Sequence, residues 1–280
     1  MRRKKILINP KLCNRNGGLS KKWYVEFRKL CSLNVPDRTT ANTLLFIQQF
    51  AFLLFPILTV CSIINHWYIF FCVSGLITAV LVWGIFDMRL ALFVPVINRL
   101  KTGERKIVLT FDDGPGKCTD TILSILEREN IRAIFFFTGK NALEHVDIVK
   151  RTVQSGHLIG IHTQNHLLEF PFSGLKKVNR ELKENIMTIE QITGQKINLF
   201  RPPFGVMNPV IAKSVRDLKL CTTGWTVRSL DTGAKNGERL LKRISKRLSA
   251  GAIILLHDIP LTAGILQDLI VEIRRKGYEV

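Results

Sequence analysis

The six cysteines, Cys13, Cys31, Cys61, Cys72, Cys118 and Cys221, include no CxxC pair, and two of them fall inside apolar segments. That excludes a disulfide framework and a cysteine metal site. Acidic residues are scarce, 22 against 41 Lys and Arg, which gives a formal charge of +19. Yet there is no arginine-rich run with interleaved aromatics and no zinc-finger spacing, so nucleic acid is not the partner this basicity implies. No internal repeat or low-complexity tract occurs. A cleaved signal peptide fits the sequence badly, because the first apolar run starts too late and continues too long.

What is present is unevenly distributed. Residues 1–43 carry eleven Lys and Arg against Glu26 and Asp37, a basic tail beside apolar sequence that suits anionic lipid headgroups. Within it, Lys21–Leu33 reads as a short amphipathic helix or as part of a disordered tail. Leu44–Asn65 and Tyr68–Phe86 follow, about 22 and 19 residues long, each able to cross roughly 30 Å of hydrocarbon as a helix. Gln48, Gln49 and Pro56 weaken the first. The second is cleaner, with Trp67 and Tyr68 at one end and Trp83 near the other, where interfacial aromatics belong. Residues 44–87 are therefore expected to be a membrane anchor of one or two helices, with membrane lipid as a partner and a bacterial inner membrane as the location. Basic residues flank both ends of the pair, which predicts a hairpin with both termini in the cytoplasm; a single span places the C-terminal part outside.

With 280 residues the chain has room for one large domain plus such an appendage. Residues 88–104 read as a linker, broken at Thr102–Gly103. From about Arg105, strand-like and helix-like runs alternate. The strands are expected at Ile107–Phe111, Ala133–Phe137, Leu158–His162, Asn198–Arg201, Leu220–Trp225 and Ala252–His257. The helices are expected at Thr119–Glu129, His145–Gln154, Leu175–Thr193, Pro209–Leu218, Gly237–Leu248 and Leu261–Lys276. This alternation predicts an α/β domain of parallel βα units over residues 105–280, a compact barrel or a doubly wound sheet. The chain stops at Tyr278–Glu279–Val280, in what reads as the start of a further strand.

Chemistry-bearing residues gather at the strand ends. The run KIVLTFDDGP, Lys106–Pro115, ends a strand in two adjacent carboxylates, Asp112 and Asp113, which repel unless a metal or an arginine sits beside them. After the third strand, His162-Thr163-Gln164-Asn165-His166 places two histidines at i, i+4, able to share one metal ion if the turn is helical. With Asp113 they form an Asp/His/His set. Arg201-Pro202-Pro203-Phe204-Gly205 follows the fourth strand, with the prolines stiffening the loop that holds Arg201 near a carboxylate. Trp225 and Asp231 follow the fifth, and Leu255-Leu256-His257-Asp258 ends the last in a group that titrates near neutrality. His66, His145 and His157 are isolated and are expected to be structural.

Together, TFDDGP, HTQNH, RPPFG, a downstream Asp and LLHD resemble the polysaccharide deacetylases of carbohydrate esterase family 4, over Lys106 to the end. The resemblance implies a deformed (β/α) barrel with fewer than eight complete units, and hydrolysis of N-acetyl or sometimes O-acetyl groups on sugar polymers. It implies that Asp113, His162 and His166 hold Zn²⁺, Co²⁺ or another divalent metal, which activates water and polarises the acetyl carbonyl. Asp112 would be the general base, oriented by Arg201, and His257 the acid, its ring held by Asp231. A backbone N–H near Phe204 would help bind the oxyanion, and Trp225 and Leu255 would line the acetyl pocket.

The chain departs from the family pattern at three places. Asp231–Thr232 stands where Asp-Trp is frequent, Ile161 where Asn often precedes the first histidine, and Arg228 where an acidic residue is common. None is a metal ligand, base or acid, so the departures bear on acyl and sugar preference. The expected function is removal of N-acetyl groups from a glycan such as peptidoglycan or another envelope polysaccharide. The alternatives are a metal-dependent amidase or esterase on a lipid-linked or small acylated substrate, and a non-catalytic glycan-binding protein.

Overall fold

The computed structural model describes residues 54–59, 67–101 and 104–280. The basic tail, Lys21–Leu33 and His66 lie outside the described residues. So does most of the first apolar segment, of which residues 54–59 are helical. The second apolar segment is helix α1, Trp67–Phe86, whose 20 residues span about 30 Å and leave most side chains exposed.

Among the described residues, eight strands form one all-parallel sheet: β1 (Val96–Ile97), β2 (Val108–Asp112), β3 (Ile134–Phe137), β4 (Leu158–Ile161), β5 (Leu199–Phe200), β6 (Cys221–Thr223), β7 (Val227–Arg228) and β8 (Ile253–His257). Their spatial order is β1-β6-β5-β4-β3-β2-β8-β7. The sheet curls into a deformed barrel with β1 and β7 at its margins. Thr226, just before β7, stitches these margins, its hydroxyl donating to the Asn98 carbonyl and its N–H to that of Ile253.

Helices cover the outside: α2 (Thr119–Arg128), α3 (Gly139–Glu144), α4 (Val146–Gln154), α5 (Leu175–Thr193), α6 (Pro209–Asp217), α7 (Gly237–Ser245) and α8 (Pro260–Arg275). Local signals set their ends. Asn208 and Asn236 accept the N–H groups of Ile211 and Arg239 to cap α6 and α7. Gly194, in the left-handed region, closes α5.

Alternation along each strand sorts the side chains. Leu109 and Phe111 of β2 point outward into the core shared with the helices, alongside Phe135, Phe137, Ile254 and Leu256. Val108, Ile134, Phe136, Leu199 and Ile253 fill the interior. On β2 the interior face therefore runs Val108, Thr110, Asp112, so it ends in a carboxylate at the barrel mouth.

The six expected strands fall within two residues of their places, whereas α7 stops three residues early at Ser245. Residues 88–101 of the expected linker are not a spacer, and Thr102–Gly103 lie outside the described residues. Met88, Phe93, Val94 and Ile97 are buried, and Val96–Ile97 pair with Thr222–Thr223. The barrel thus begins at Met88, directly after α1. At the other end, Glu279 forms a parallel bridge with Lys106 beside β2.

Candidate active site

At the C-terminal ends of β2, β4, β5 and β8 the expected residues meet. Asp113 leaves β2 with φ 69°, a left-handed backbone that turns its side chain away from Asp112 and toward β4. One of its carboxylate oxygens, Oδ1, lies 3.3 Å from His162 Nε2 and 3.3 Å from His166 Nε2. The three ligand atoms lie within 4.8 Å of one another.

The histidines do not meet through a helical turn. Their loop is irregular, with Thr163 at φ 70° and His166 at φ 50°, and it brings the rings to 5.1 Å centroid to centroid. Left-handed backbone at such residues is unfavourable by about 1–2 kcal/mol each, so neighbours must hold it. Buried Glu181 of α5 accepts the N–H and side-chain amide of Asn165 at 2.9 and 2.8 Å. Asn185, one turn on, donates to the carbonyls of Phe137 and Thr163. Asn141 of α3 donates to the Asp113 carbonyl at 2.8 Å.

These residues suit a divalent cation. Asp113 Oδ1 is buried and has no hydrogen-bond partner, which is costly without a cation. His162 Nδ1 donates to the Arg201 carbonyl at 2.7 Å, leaving Nε2 with its lone pair toward Asp113. Burial, and the neighbouring His162, pull His166 below the usual imidazole range, which favours the neutral ligand form. Burial opposes ionisation of Asp113, but the imidazoles of His162, His257 and His166 around it hold its carboxyl well below the usual range.

Beside this set, Asp112 accepts from Arg201 Nη1 at 2.7 Å. Arg201 is fully buried, its guanidinium over the Phe136 ring at 4.2 Å. It also donates to the Thr223 and Gly224 carbonyls and the Thr110 hydroxyl. The arginine is thus locked from four sides, and so is the carboxylate it touches.

Opposite stands His257, whose Nδ1 donates to Asp231 Oδ1 at 2.6 Å while its backbone N–H donates to Oδ2. Asp231 is wholly buried and also accepts from the Thr262 hydroxyl and the Thr232 N–H. Burial works against a charged His257. Its hydrogen bond to Asp231 and the carboxylates of Asp112, Asp231 and Asp113 outweigh that, so it titrates above an ordinary imidazole.

Phe204, with φ 61°, is half exposed at the mouth and meets the His166 ring edge-on at 5.0 Å. Trp225 is buried directly under Gly205, at φ 72°, where a Cβ would stand 2.4 Å from the indole. Leu255 is buried and shares the interior face of β8 with His257. Arg228 lies over the Trp225 ring at 5.6 Å.

Six supports were not anticipated: Thr110, Asn141, Glu181, Asn185, Asp258 and Thr262. Asp258, beside His257, accepts the Gly116 and Cys118 N–H groups and the Thr119 hydroxyl, clamping the loop that follows Asp113. Its place next to His257 was its only signal. His145 precedes α4 and His157 is buried against Phe135, both away from the site.

A family model for polysaccharide deacetylase matches residues 99–222. The chain is 34% identical over 199 residues to a peptidoglycan-N-acetylglucosamine deacetylase of Bacillus cereus, covering 65% of this chain and 71% of that protein. It is 33% identical over 188 residues to the peptidoglycan-N-acetylglucosamine deacetylase PgdA of Listeria monocytogenes. That match spans 66% of this chain but only 39% of the listerial protein. Among solved structures, a CE4 family pseudoenzyme from Bacillus anthracis superposes with a TM-score of 0.62 at 27% identity, covering 66% of each chain.

Proposed function

The chain belongs to the polysaccharide deacetylase family, and from that premise we propose that it is a membrane-anchored, metal-dependent hydrolase removing N-acetyl groups from a cell-envelope glycan such as peptidoglycan. The reading rests on one observation above all. Three separate devices converge on one barrel mouth: the Asp113/His162/His166 set, the Asp112–Arg201 pair and the His257–Asp231 pair.

Asp113, His162 and His166 would hold the divalent ion, zinc or cobalt being suitable for an oxygen and two imidazole nitrogens. When bound, such an ion supplies Lewis acidity to a water and to the acetyl carbonyl. Asp112 takes the proton of the attacking water as general base. The Arg201 guanidinium holds that carboxylate in one orientation, so no reorganisation is needed as the proton arrives. His257 hands a proton from Nε2 to the departing sugar nitrogen, and Asp231 keeps the ring in the tautomer and orientation this requires. Phe204 shapes the entrance beside His166, with a backbone N–H at that loop as an oxyanion donor. Trp225 and Leu255 provide apolar wall for the acetyl methyl, and Thr232 leaves one side of that wall open.

The non-catalytic alternative is disfavoured because Asp112, Arg201, His257, Asp231 and the Asp113/His162/His166 set are all present. Helix α1 supplies the anchor, by its length, its apolar composition and the basic residues that follow it.

Acetate release from N-acetylglucosamine oligomers and from peptidoglycan tests this, using purified chain with added Zn²⁺ or Co²⁺. Metal-dependent release that Asp112→Asn abolishes supports the reading. Metal binding without release from either substrate refutes the glycan assignment, and failure to bind metal refutes the site.

A further inference from the structure

The end of α1 and the active-site rim are joined by consecutive contacts. Ile85, in the last turn of α1, accepts the Met207 N–H at 2.9 Å. Met207 lies three residues after Phe204, the aromatic beside His166. Its neighbour Asn208 donates through its side-chain amide to the Pro171 carbonyl. Pro171 belongs to the loop that continues from His166, and on this loop Leu168 and Phe172 are 79% and 86% exposed. Two large apolar side chains are thus presented to the outside within one short chain of contacts from the helix end.

The neighbouring charge is positive. Lys176, Arg180 and Lys183 are exposed at i, i+4 and i+7 on α5, a basic stripe that starts four residues after Phe172 and meets the exposed Glu184 at its far end. Lys177 offsets Glu169, the one acidic residue of the loop, at 3.0 Å. An apolar tip flanked by Lys and Arg, continuous with an apolar helix, matches the boundary between acyl chains and anionic headgroups. Water alone gives no reason for Phe172 to be held out by Pro171 and the 3₁₀ turn Phe170–Phe172.

We propose that the Leu168–Phe172 loop is a second membrane contact, which seats the rim of the barrel on an anionic bilayer surface beside the point where α1 emerges. The active-site mouth then opens at headgroup level, where it meets N-acetylated sugars carried at the membrane. This rests on the reading of α1 as a bilayer helix.

The test is hydroxyl-radical footprinting of the full chain in nanodiscs containing anionic phosphatidylglycerol, read by mass spectrometry. Each residue is normalised to the same residue in the unfolded chain. Three aliphatic side chains decide it: Leu168, Leu76 at mid-α1 (66% exposed in the protein alone) and Val271 on α8 (54%). Exposure in the protein alone ranks Leu168 as the most oxidised of the three. Docking reverses that order, with Leu168 and Phe172 protected at least about fivefold relative to Val271. Protection of Leu76 with Leu168 still above Val271 overturns the docking and leaves the anchor standing. Oxidation of both leucines above Val271 overturns the anchor reading and the docking with it. Acetate release enters none of these outcomes, so the enzymatic reading fails or stands separately.

Discussion

Replacing Arg201 by methionine keeps most of the side chain's volume and removes its charge. Asp112 is then left 3% exposed with its cationic partner gone, and the Thr223 and Gly224 carbonyls each lose a donor. Breaking a buried ion pair from one side costs about 3–5 kcal/mol, because the remaining charge stays desolvated. Each abandoned carbonyl adds up to about 1–3 kcal/mol where water cannot reach it. The expected loss is therefore at least about 3 kcal/mol. Hydrogen exchange of the β2 and β8 amides is the suitable assay, since these strands pair over Val108–Asp112 and Ile253–His257 and belong to the last region to open. A loss of about 3 kcal/mol accelerates their exchange by roughly two orders of magnitude. The companion variant, Arg201→Met with Asp112→Leu, removes both charges and is expected to recover the ion-pair share of that protection but not the share owed to the two abandoned carbonyls. Were the single variant no less protected than the double one, the argument that Arg201 compensates a buried Asp112 charge would be refuted.

Asp113→Asn and His166→Ala should each weaken zinc binding at least tenfold by calorimetry, while Asp112→Asn should leave it within about threefold. The pH profile of kcat/KM should fall on its alkaline side as His257 loses its proton, since its pKa lies above the ordinary imidazole value. Asp231→Asn removes the interaction that raises it, so this limb should move to lower pH. His157 is buried neutral with a pKa of about 4 against the usual 6.5. Its folded-state pKa is depressed, so its contribution is complete above about pH 6.5 and disappears as pH falls toward 4. That is at most about 3 kcal/mol at 1.36 kcal/mol per unit, and His157→Gln should flatten this part of the stability–pH curve in urea titrations.

Much of the fold was readable because its strands are long enough to carry a pattern. β2, β3, β4 and β8 each have four or five wholly apolar or alternating residues bounded by Gly, Pro or charge. β1 and β7 are two residues each and owe their strand character to their partners β6 and β8, so no local signal marks them. The segment 88–104 read as a linker because Arg89, Arg99 and Lys101 interrupt it, although its apolar residues, Met88, Phe93, Val94 and Ile97, are the buried ones. The site was legible as residue types at strand ends. The spacing of His162 and His166 suggested a helical turn, whereas left-handed backbone at Thr163 and His166 does the work, held by Glu181 and Asn185 from a helix some twenty residues on. Such tertiary support leaves no mark in the loop's own sequence.

The direct passage from α1 into the barrel core has a consequence for reach. With Met88 buried two residues beyond the helix end and Ile85 bonded to Met207, there is no slack on which the barrel could swing. The stretch from Met88 to Val280 has an expected radius of gyration of about 16 Å. An enzyme on a flexible tether sweeps a volume set by the tether, whereas on the proposed reading of α1 as a bilayer helix this one would work at a single fixed height. On that proposal its search for substrate would be two-dimensional, by lateral diffusion with the helix, and glycan lying farther out would have to be brought down to it. Inserting a glycine–serine spacer after Phe86 would change that geometry without touching a residue of the site.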